Sequence, residues 1–284
     1  MIKLIECPRD AMQGLKTFIP TETKAKYLNL LLQVGFDTLD FGSFVSPKAI
    51  PQMRDTADVL AQLDLSDTNT KLLAIVANYR GAEAAAAFPE IDYLGFPFSV
   101  SETFQLRNTN ATIADSLERV KRIQELCKQK DKEMVLYLSM GFGNPYGDPW
   151  NAETVMHWVE ELAQLDIRIF QLSDTIGVAK PPSISYLFGE LIPAYPQLEI
   201  GAHFHTTPQS WEEKIAAATA NGCTRFDGAI RGYGGCPMAK DDLTGNMPME
   251  HLVHYFKSNS LKTGVDEALF GQAYLQAAEV FPTH

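Results

Sequence analysis

The feature that most restricts the fold of this chain is a regular alternation of short apolar runs with longer amphipathic stretches. The apolar runs are rich in Val, Ile, Leu, Phe and Tyr, as expected of parallel strands that are buried on both faces. The predicted strands are Lys3–Cys7, Asp37–Gly42, Lys71–Val76, Tyr93–Phe98, Met134–Ser139, Ile167–Leu172, Leu198–His205 and Thr224–Ala229. Eight strands that each lead into a helix predict an α/β fold of the (β/α)8 TIM-barrel type.

The stretches between the strands carry apolar residues at helical spacing, most clearly from Thr112 to Lys130. The predicted helices are Thr21–Val34, Pro51–Leu63, Ala82–Ala87, Thr112–Lys130, Ala152–Leu165, Pro182–Ile192 and Pro208–Asn221, with helical pieces near Met249–Phe256 and Asp266–Val280. A doubly wound open sheet is the main alternative, but no GxGxxG follows the first strand. We therefore expect one catalytic domain over residues 1–284, with residues 245–284 as a short C-terminal helical extension.

Charge and cysteine content restrict the partners of the chain. A formal net charge of -11 is a poor match for nucleic acid or anionic lipid, and no apolar run is long enough to span a bilayer. The four cysteines form no CxxC pair, and Met1 is followed almost at once by a predicted strand. These features predict a cytoplasmic protein with free thiols and a small-molecule partner.

The active site of a barrel lies at the carboxyl ends of its strands, where this chain has several polar residues. His203 and His205 are two residues apart on strand seven, so both rings point to the same side and can bind one metal ion, or each can simply bond to neighbours. Asp10 after strand one can join them, or cap its own loop. Asn246 can add an amide oxygen, or form a turn after Gly245. Two nitrogens with two oxygens suit Mg²⁺ or Mn²⁺ better than a closed structural zinc site.

Five further residues are candidates for catalysis or substrate binding, and each has a structural alternative. Asp40, near the end of strand two, can act as a base by way of water, or pair with Arg9. Arg9 can stabilise an enolate, or pair with an acidic neighbour such as Asp40. Asp174, at the end of strand six, can take a proton or cap the following turn. Cys236, in a Gly-Gly-Cys-Pro loop, can transfer a proton from a mobile lid, or pack beneath the loop. Gln13 can donate to a substrate oxygen or bond within its loop.

Several motifs along nearly the whole chain resemble those of one enzyme family. The chain resembles the hydroxymethylglutaryl-CoA lyases, within a metal-dependent barrel family that also holds the isopropylmalate-type synthases. The matching segments are Pro-Arg-Asp-Ala-Met-Gln at 8–13, Ser-Phe-Val-Ser-Pro-Lys at 43–48, Pro-Gln-Met at 51–53, Ser-Glu at 101–102 with Asn108 and Asn110, Asp-Thr-Ile-Gly-Val at 174–178, Ala-His-Phe-His at 202–205, Gly-Gly-Cys-Pro at 234–237 and Gly-Asn at 245–246. The segments at 43–48 and 234–237 are lyase-like rather than common to the superfamily.

The resemblance implies a carbon–carbon lyase that cleaves 3-hydroxy-3-methylglutaryl-CoA, or a related branched 3-hydroxyacyl-CoA, to acetyl-CoA and acetoacetate, as in leucine degradation. It implies that the metal ligands are Asp10, His203, His205 and Asn246. It implies that Arg9 stabilises the enolate, that Cys236 is the catalytic thiol of a lid, and that Asp174 serves proton transfer or substrate contact. It also implies a homodimer.

Three positions depart from the family pattern. Asp40 stands where the family has Glu, Thr206 follows His205 where the family has Asp, and Val135 replaces an Arg on strand five. The proposed metal ligands are retained, but the substrate contacts can differ, so a related acyl-CoA is a possible substrate.

Three other functions fit the same barrel. One is a Claisen-type acyltransferase that condenses acetyl-CoA with a 2-keto acid; such synthases usually carry a longer C-terminal region, whereas this chain ends about 40 residues after its Gly-Asn loop. Another is a 2-keto-acid aldolase or decarboxylase subunit. The third is a non-catalytic relative that binds CoA or a metal, although Arg9, Asp10 and Cys236 are all retained.

Overall fold

The computed structural model describes residues 1–235 and 244–281, and within them the eight predicted strands close into a barrel. The strands are β1 (Lys3–Glu6), β2 (Thr38–Ser43), β3 (Lys71–Ile75), β4 (Tyr93–Ser99), β5 (Glu133–Ser139), β6 (Ile169–Asp174), β7 (Glu199–Thr206) and β8 (Arg225–Gly228). They run parallel in the order β6-β5-β4-β3-β2-β1-β8-β7, and pairing of β6 with β7 closes the ring. The predicted (β/α)8 TIM barrel is thus confirmed. A short strand, β9 (Gly245–Asn246), adds antiparallel to β7 and was not predicted.

Helices surround this barrel. They are α1 (Pro8–Gln13), α2 (Thr21–Val34), α3 (Thr56–Leu60), α4 (Tyr79–Ala86), α5 (Glu102–Thr109), α6 (Ile113–Lys130), α7 (Ala152–Ala163), α8 (Pro181–Ala194), α9 (Trp211–Ala220), α10 (Met249–Ser258) and α11 (Glu267–Val280). The predicted helix from Pro51 to Leu63 divides into a 3-10 turn at Pro51–Met53 and then α3. Helices α1 and α5, of six and eight residues, were not predicted; α1 is too short to show a helical period.

Local signals set the ends of several helices. A capping box between Thr112 and Asp115 begins α6, and the side chain of Ser101 accepts a hydrogen bond from the backbone of Phe104 to begin α5. Helix α6 contacts β4 and β5, and most residues of these two strands are buried, in keeping with their largely apolar sequences.

The C-terminal helices complete the ring. Helix α10 packs on β8, where the rings of Phe226 and Phe256 lie 5.1 Å apart. Helix α11 packs on α2, and Phe270 of α11 meets Phe36 edge to face. We propose that the whole chain is one domain, in which α10 is the eighth barrel helix and α11 is the extension. In the parts of the chain that the structure describes, no helix has both the length and the apolar character needed to cross a membrane.

The amino end of the barrel is closed by a chain of ion pairs. Glu199 accepts from Lys3 at 2.6 Å and from Arg225 at 2.9 Å, and Arg225 also approaches Asp37 at 3.5 Å. The Arg225 side chain is fully buried, whereas that of Glu199 is 26% exposed. Without Glu199, the buried guanidinium of Arg225 would lose its main acidic partner. Without Arg225, Glu199 would still pair with Lys3 and remain partly exposed to water.

This asymmetry predicts unequal costs for removing the two partners. Glu199→Ala leaves a buried cation poorly compensated and should lower the free energy of unfolding by about 3 kcal/mol or more. Arg225→Met removes the buried charge itself and should cost clearly less. Urea denaturation followed by circular dichroism measures both variants. Equal losses, or a larger loss for Arg225→Met, would contradict this account.

Candidate metal centre and active site

The carboxyl end of the barrel brings together three of the predicted metal ligands. Asp10 comes from α1, directly after β1, while His203 and His205 come from the end of β7. Each offers one ligand atom, and these atoms all lie within 4.8 Å of one another. A carboxylate and two imidazoles thus face a common point, although they are some 190 residues apart in the sequence.

His203 is oriented by a carboxylate that the sequence analysis missed. Its Nδ1 lies 3.0 Å from Oδ2 of Asp227 on β8, and Asp227 also accepts a hydrogen bond from the carboxamide of Gln171 on β6. A proton on Nδ1 leaves Nε2 with a free lone pair. Burial opposes protonation of His203, but Asp227 outweighs it and raises the pKa of the ring. Asp227 could have been found from the sequence, because its strand lies between two strands whose ends had already been assigned to the site.

His205 has a different environment. The residue is buried, and among the described residues neither ring nitrogen makes a hydrogen bond of ordinary geometry, although the backbone of Thr175 lies near enough to favour the protonated ring. Burial, helped by the neighbouring His203, lowers the pKa of His205 to about 4, so the ring is neutral at pH 7. A buried neutral imidazole without a partner is costly unless a ligand occupies it.

Both carboxylate oxygens of Asp10 accept hydrogen bonds. Oδ1 accepts from Arg9 at 2.9 Å and from Gln13 at 2.5 Å, while Oδ2 accepts from Nδ2 of Asn246 at 2.7 Å. Burial raises the pKa of the Asp10 carboxyl, but Arg9 and the two histidines outweigh burial and lower it. The structure therefore also brings Asn246 to the cluster, opposite His205 in the β7–β9 pairing.

These observations fit a divalent cation. The donors are one ionised carboxylate and two imidazoles, with a side-chain amide beside them. Two imidazoles and one carboxylate can coordinate a divalent cation and leave other positions open for substrate.

Arg9 lies between two carboxylates. Its Nη2 and Nε donate to Asp40 at 2.5 and 3.0 Å, and its Nη1 donates to Asp10. Burial works against the guanidinium charge, but Asp40 and Asp10 raise the pKa of Arg9 above its ordinary value. Burial raises the pKa of Asp40 to about 6, although Arg9 opposes the rise. The shorter Asp at this position thus still reaches Arg9 in a bidentate pair.

Asp174 does not point into this cluster. Its Oδ2 accepts from Nζ of Lys214 on α9 at 2.6 Å, and its Oδ1 accepts from the backbone of Ala179 at 3.0 Å. Both side chains are fully buried. Burial raises the pKa of Asp174, and Lys214 opposes the rise. The sequence analysis gave Lys214 no role, because a lysine on a helix is usually exposed.

A cavity of about 690 Å³ opens beside the cluster. Arg9, Asp10, Gln13 and the two histidines contribute to its wall, and apolar and uncharged polar side chains together with Arg107 and Arg119 line the rest. Asp40 and Asp174 are not among the lining residues. The cavity is large enough for part of a ligand well beyond a simple organic acid.

Tyr137 on β5 lines the cavity and is a further site residue that the sequence analysis missed. Its ring meets that of His203 edge to face at 5.6 Å, and its buried hydroxyl has no hydrogen-bond partner among the described residues. Burial raises the pKa of Tyr137 well above its ordinary value, so the hydroxyl keeps its proton and can donate to a bound oxygen.

The predicted lid falls largely outside the described residues. Cys236 lies in the segment 236–243, of which the structure gives no description. The preceding Gly234 has φ +83, and a Cβ there would lie 2.5 Å from the backbone oxygen of Asp10. Only glycine allows this close approach, which packs the start of the loop against the metal-site backbone. Gly235 lines the cavity.

The other two departures from the family pattern, Val135 and Thr206, have distinct surroundings. Val135 packs inside the barrel with Leu73 and Ile169. Thr206 is buried and pairs with Gly245 in the β7–β9 ladder. Neither residue lines the cavity.

The family model and the most similar known proteins agree on one family. The family model described as HMGL-like matches residues 2–273. The hydroxymethylglutaryl-CoA lyase YngG of Bacillus subtilis is 33% identical over 91% of this chain and 85% of its own length. The 3-hydroxy-3-isohexenylglutaryl-CoA/hydroxy-methylglutaryl-CoA lyase of Pseudomonas aeruginosa is 33% identical over 93% of this chain and 88% of its own.

Solved structures agree with these relatives. An HMG-CoA lyase from Acinetobacter baumannii, in complex with coenzyme A and 3-methylmalate, superposes with a TM-score of 0.91 at 29% identity, over 99% of this chain and 92% of that one. The chain therefore belongs to the HMGL-like family, as a hydroxymethylglutaryl-CoA lyase-like carbon–carbon lyase.

Proposed function

We propose that this chain is a divalent-metal-dependent lyase that cleaves 3-hydroxy-3-methylglutaryl-CoA to acetyl-CoA and acetoacetate, or cleaves a related branched 3-hydroxyacyl-CoA in the same way. The observation that carries the proposal is the convergence of Asp10, His203 and His205 beside Arg9 at one wall of the cavity. The named lyase relatives support the same reaction.

Asp10, His203, His205 and Asn246 are the residues that would hold Mg²⁺ or Mn²⁺. A bound divalent cation would polarise substrate oxygens and stabilise the negative charge that develops on them. The chain itself fixes the donors: Asp227 sets the His203 ring, while Gln13 and Asn246 hold the two oxygens of Asp10.

The reaction moves one proton and one electron pair. The 3-hydroxyl proton leaves to water in the cavity, the C2–C3 bond breaks, and its electrons form the enolate of acetyl-CoA, while C3 becomes the ketone of acetoacetate. Arg9 lies where its guanidinium can stabilise the enolate oxygen. The Cys236 thiol gives its proton to C2, and the resulting thiolate then takes up the proton that the 3-hydroxyl released to water. Tyr137 keeps its proton and can donate a hydrogen bond to a substrate oxygen.

The two carboxylates that do not line the cavity act through other residues. Asp40 holds Arg9 by two hydrogen bonds and so fixes the plane of the guanidinium. A direct role of Asp40 or Asp174 as a base would require either carboxylate to leave its present partner. We therefore propose that Asp40 is a positioning residue for Arg9.

The rest of the cavity suits a CoA ester. Arg107 and Arg119 contribute positive charge to a wall that is otherwise mainly apolar and polar-neutral, which suits a phosphate-bearing ligand. The A. baumannii relative was solved with coenzyme A. We further propose that the enzyme is a cytoplasmic homodimer and serves leucine degradation.

The decisive test is the assay of purified protein with hydroxymethylglutaryl-CoA. Protein loaded with Mg²⁺ or Mn²⁺ should release acetoacetate, and a chelator should abolish the release until metal is restored. Acetoacetate measured enzymatically gives the rate. Metal-loaded protein that releases none would refute the substrate. Thiol release from acetyl-CoA with 2-keto acids would then indicate the synthase, and cleavage of free keto acids would indicate the aldolase.

Arg9→Lys tests the enolate role. Lysine keeps the charge but cannot bond Asp40 in a bidentate pair, so kcat should fall by about 100-fold or more with a smaller change in KM. Arg122→Lys is the matched control, since Arg122 stacks on Tyr79 away from the site. Unchanged kcat in Arg9→Lys would remove Arg9 from the mechanism.

Cys236→Ser tests the proposed thiol. The hydroxyl is a far weaker acid than the thiol, so the rate should fall by about 100-fold. Cys127→Ala on α6 is the control and should keep activity near that of the unaltered protein. A Cys236→Ser variant of full activity would assign the return of the proton to another group, and would leave the thiol without a catalytic role.

A further inference from the structure

Lys214 is a fully buried lysine whose three protons are all directed at acceptors. Its Nζ donates to Oδ2 of Asp174 at 2.6 Å, to the backbone oxygen of His205 at 2.8 Å and to that of Gly177 at 3.1 Å. A lysine is almost never buried without such compensation, because desolvation of an ammonium costs several kcal/mol. The three acceptors belong to the end of β6, the loop after it, and the end of β7.

The acceptor on β7 is the main chain of a proposed metal ligand. No side chain among the described residues bonds to the ring of His205, which has only a loose interaction with the backbone of Thr175, in contrast to His203, which Asp227 holds. The direction of the His205 ring is therefore set by its backbone and by packing. Lys214 holds that backbone from one side, and the β7–β9 pairing with Asn246 holds it from the other.

Asp174 completes the arrangement. With Oδ2 on Lys214 and Oδ1 on the backbone of Ala179, the carboxylate has no oxygen directed at the cavity, and it is 1% exposed. Helix α9 is thereby tied to β6 and β7 through a single ammonium group. The same contacts leave Asp174 poorly placed to accept a proton from a substrate, which the family resemblance had implied.

We propose that Asp174 and Lys214 form a positioning pair that fixes the His205 main chain, and that Asp174 is not the base of the reaction. The proposal rests on the proposed function, since it concerns a ligand of that metal site. It separates two ways of holding a ligand: His203 is oriented through its ring, and His205 through its carbonyl group.

The test compares Asp174→Asn, Lys214→Gln and the double variant that carries both changes. Each single change leaves one buried charge without its partner, so Mn²⁺ affinity and kcat should both fall by about 10- to 100-fold. The double variant is neutral, and its two amides can bond each other and the His205 carbonyl group. It should recover most of the Mn²⁺ affinity and most of kcat.

Mn²⁺ affinity is measured by electron paramagnetic resonance without substrate, and kcat with hydroxymethylglutaryl-CoA. A base role for Asp174 predicts the opposite pattern: Mn²⁺ affinity like that of the unaltered protein, and kcat about 100-fold low or lower in both Asp174→Asn and the double variant. That result, or single variants that bind Mn²⁺ normally, would overturn the pairing. Asp55→Asn, which breaks the buried Lys24–Asp55 pair elsewhere, controls for loss of stability alone.

Two further observations keep the outcomes separate. If the double variant does not fold, Lys214→Arg is measured in its place. If Asp174 acts as the base, this change should leave kcat and Mn²⁺ affinity unaltered. If Asp174 and Lys214 position His205, both kcat and Mn²⁺ affinity should fall. If the unaltered protein binds no Mn²⁺, the proposed metal-dependent function fails. If it binds Mn²⁺ and only the variants behave unexpectedly, the positioning pair alone fails.

Discussion

Charge compensation around Arg9 is the constraint on which the rest of this site depends. One guanidinium lies against Asp10 and Asp40, which are both buried and would otherwise repel each other in a medium of low dielectric constant. The pKa of about 6 at Asp40 reflects how much burial opposes its ionisation even with Arg9 present. Ionised Asp10 in turn allows two imidazoles and a cation to share one point. Arg9 therefore supports the geometry of the proposed metal centre as well as the enolate.

The two histidines illustrate how a barrel holds ligands on one strand by different means. His203 is fixed through its ring by Asp227 and, behind that, by Gln171. Gln171 reaches this position because its neighbour across the β6–β7 pairing is Gly201, where a Cβ would collide with the carboxamide. His205 has no such partner among the described residues, and its backbone is held instead by Lys214. A buried lysine and an interior glycine are thus part of the support for the site.

Much of this arrangement follows from local patterns in the chain. The alternation of buried strands with helices predicted the barrel, and the position of His203 and His205 two residues apart predicted that their rings face one side. Short elements were missed, because a six-residue helix such as α1 has no detectable period. Partners of the site residues were missed too. Tyr137 looks, in sequence, like an ordinary residue of a buried strand, and the pairing of Asp227 with His203 depends on how β7 and β8 lie side by side.

The sequence by itself determined the fold and the identity of the chemical groups at the strand ends, since hydrophobic periodicity and motif order are local properties of the chain. Only the tertiary structure decided which of those groups face the cavity. Asp40 and Asp174 occupy equally suggestive positions in the sequence, yet one pairs with Arg9 and the other with Lys214. A buried carboxylate is stable only when it pairs with a nearby cation, and which cation is near depends on contacts between residues far apart in the chain.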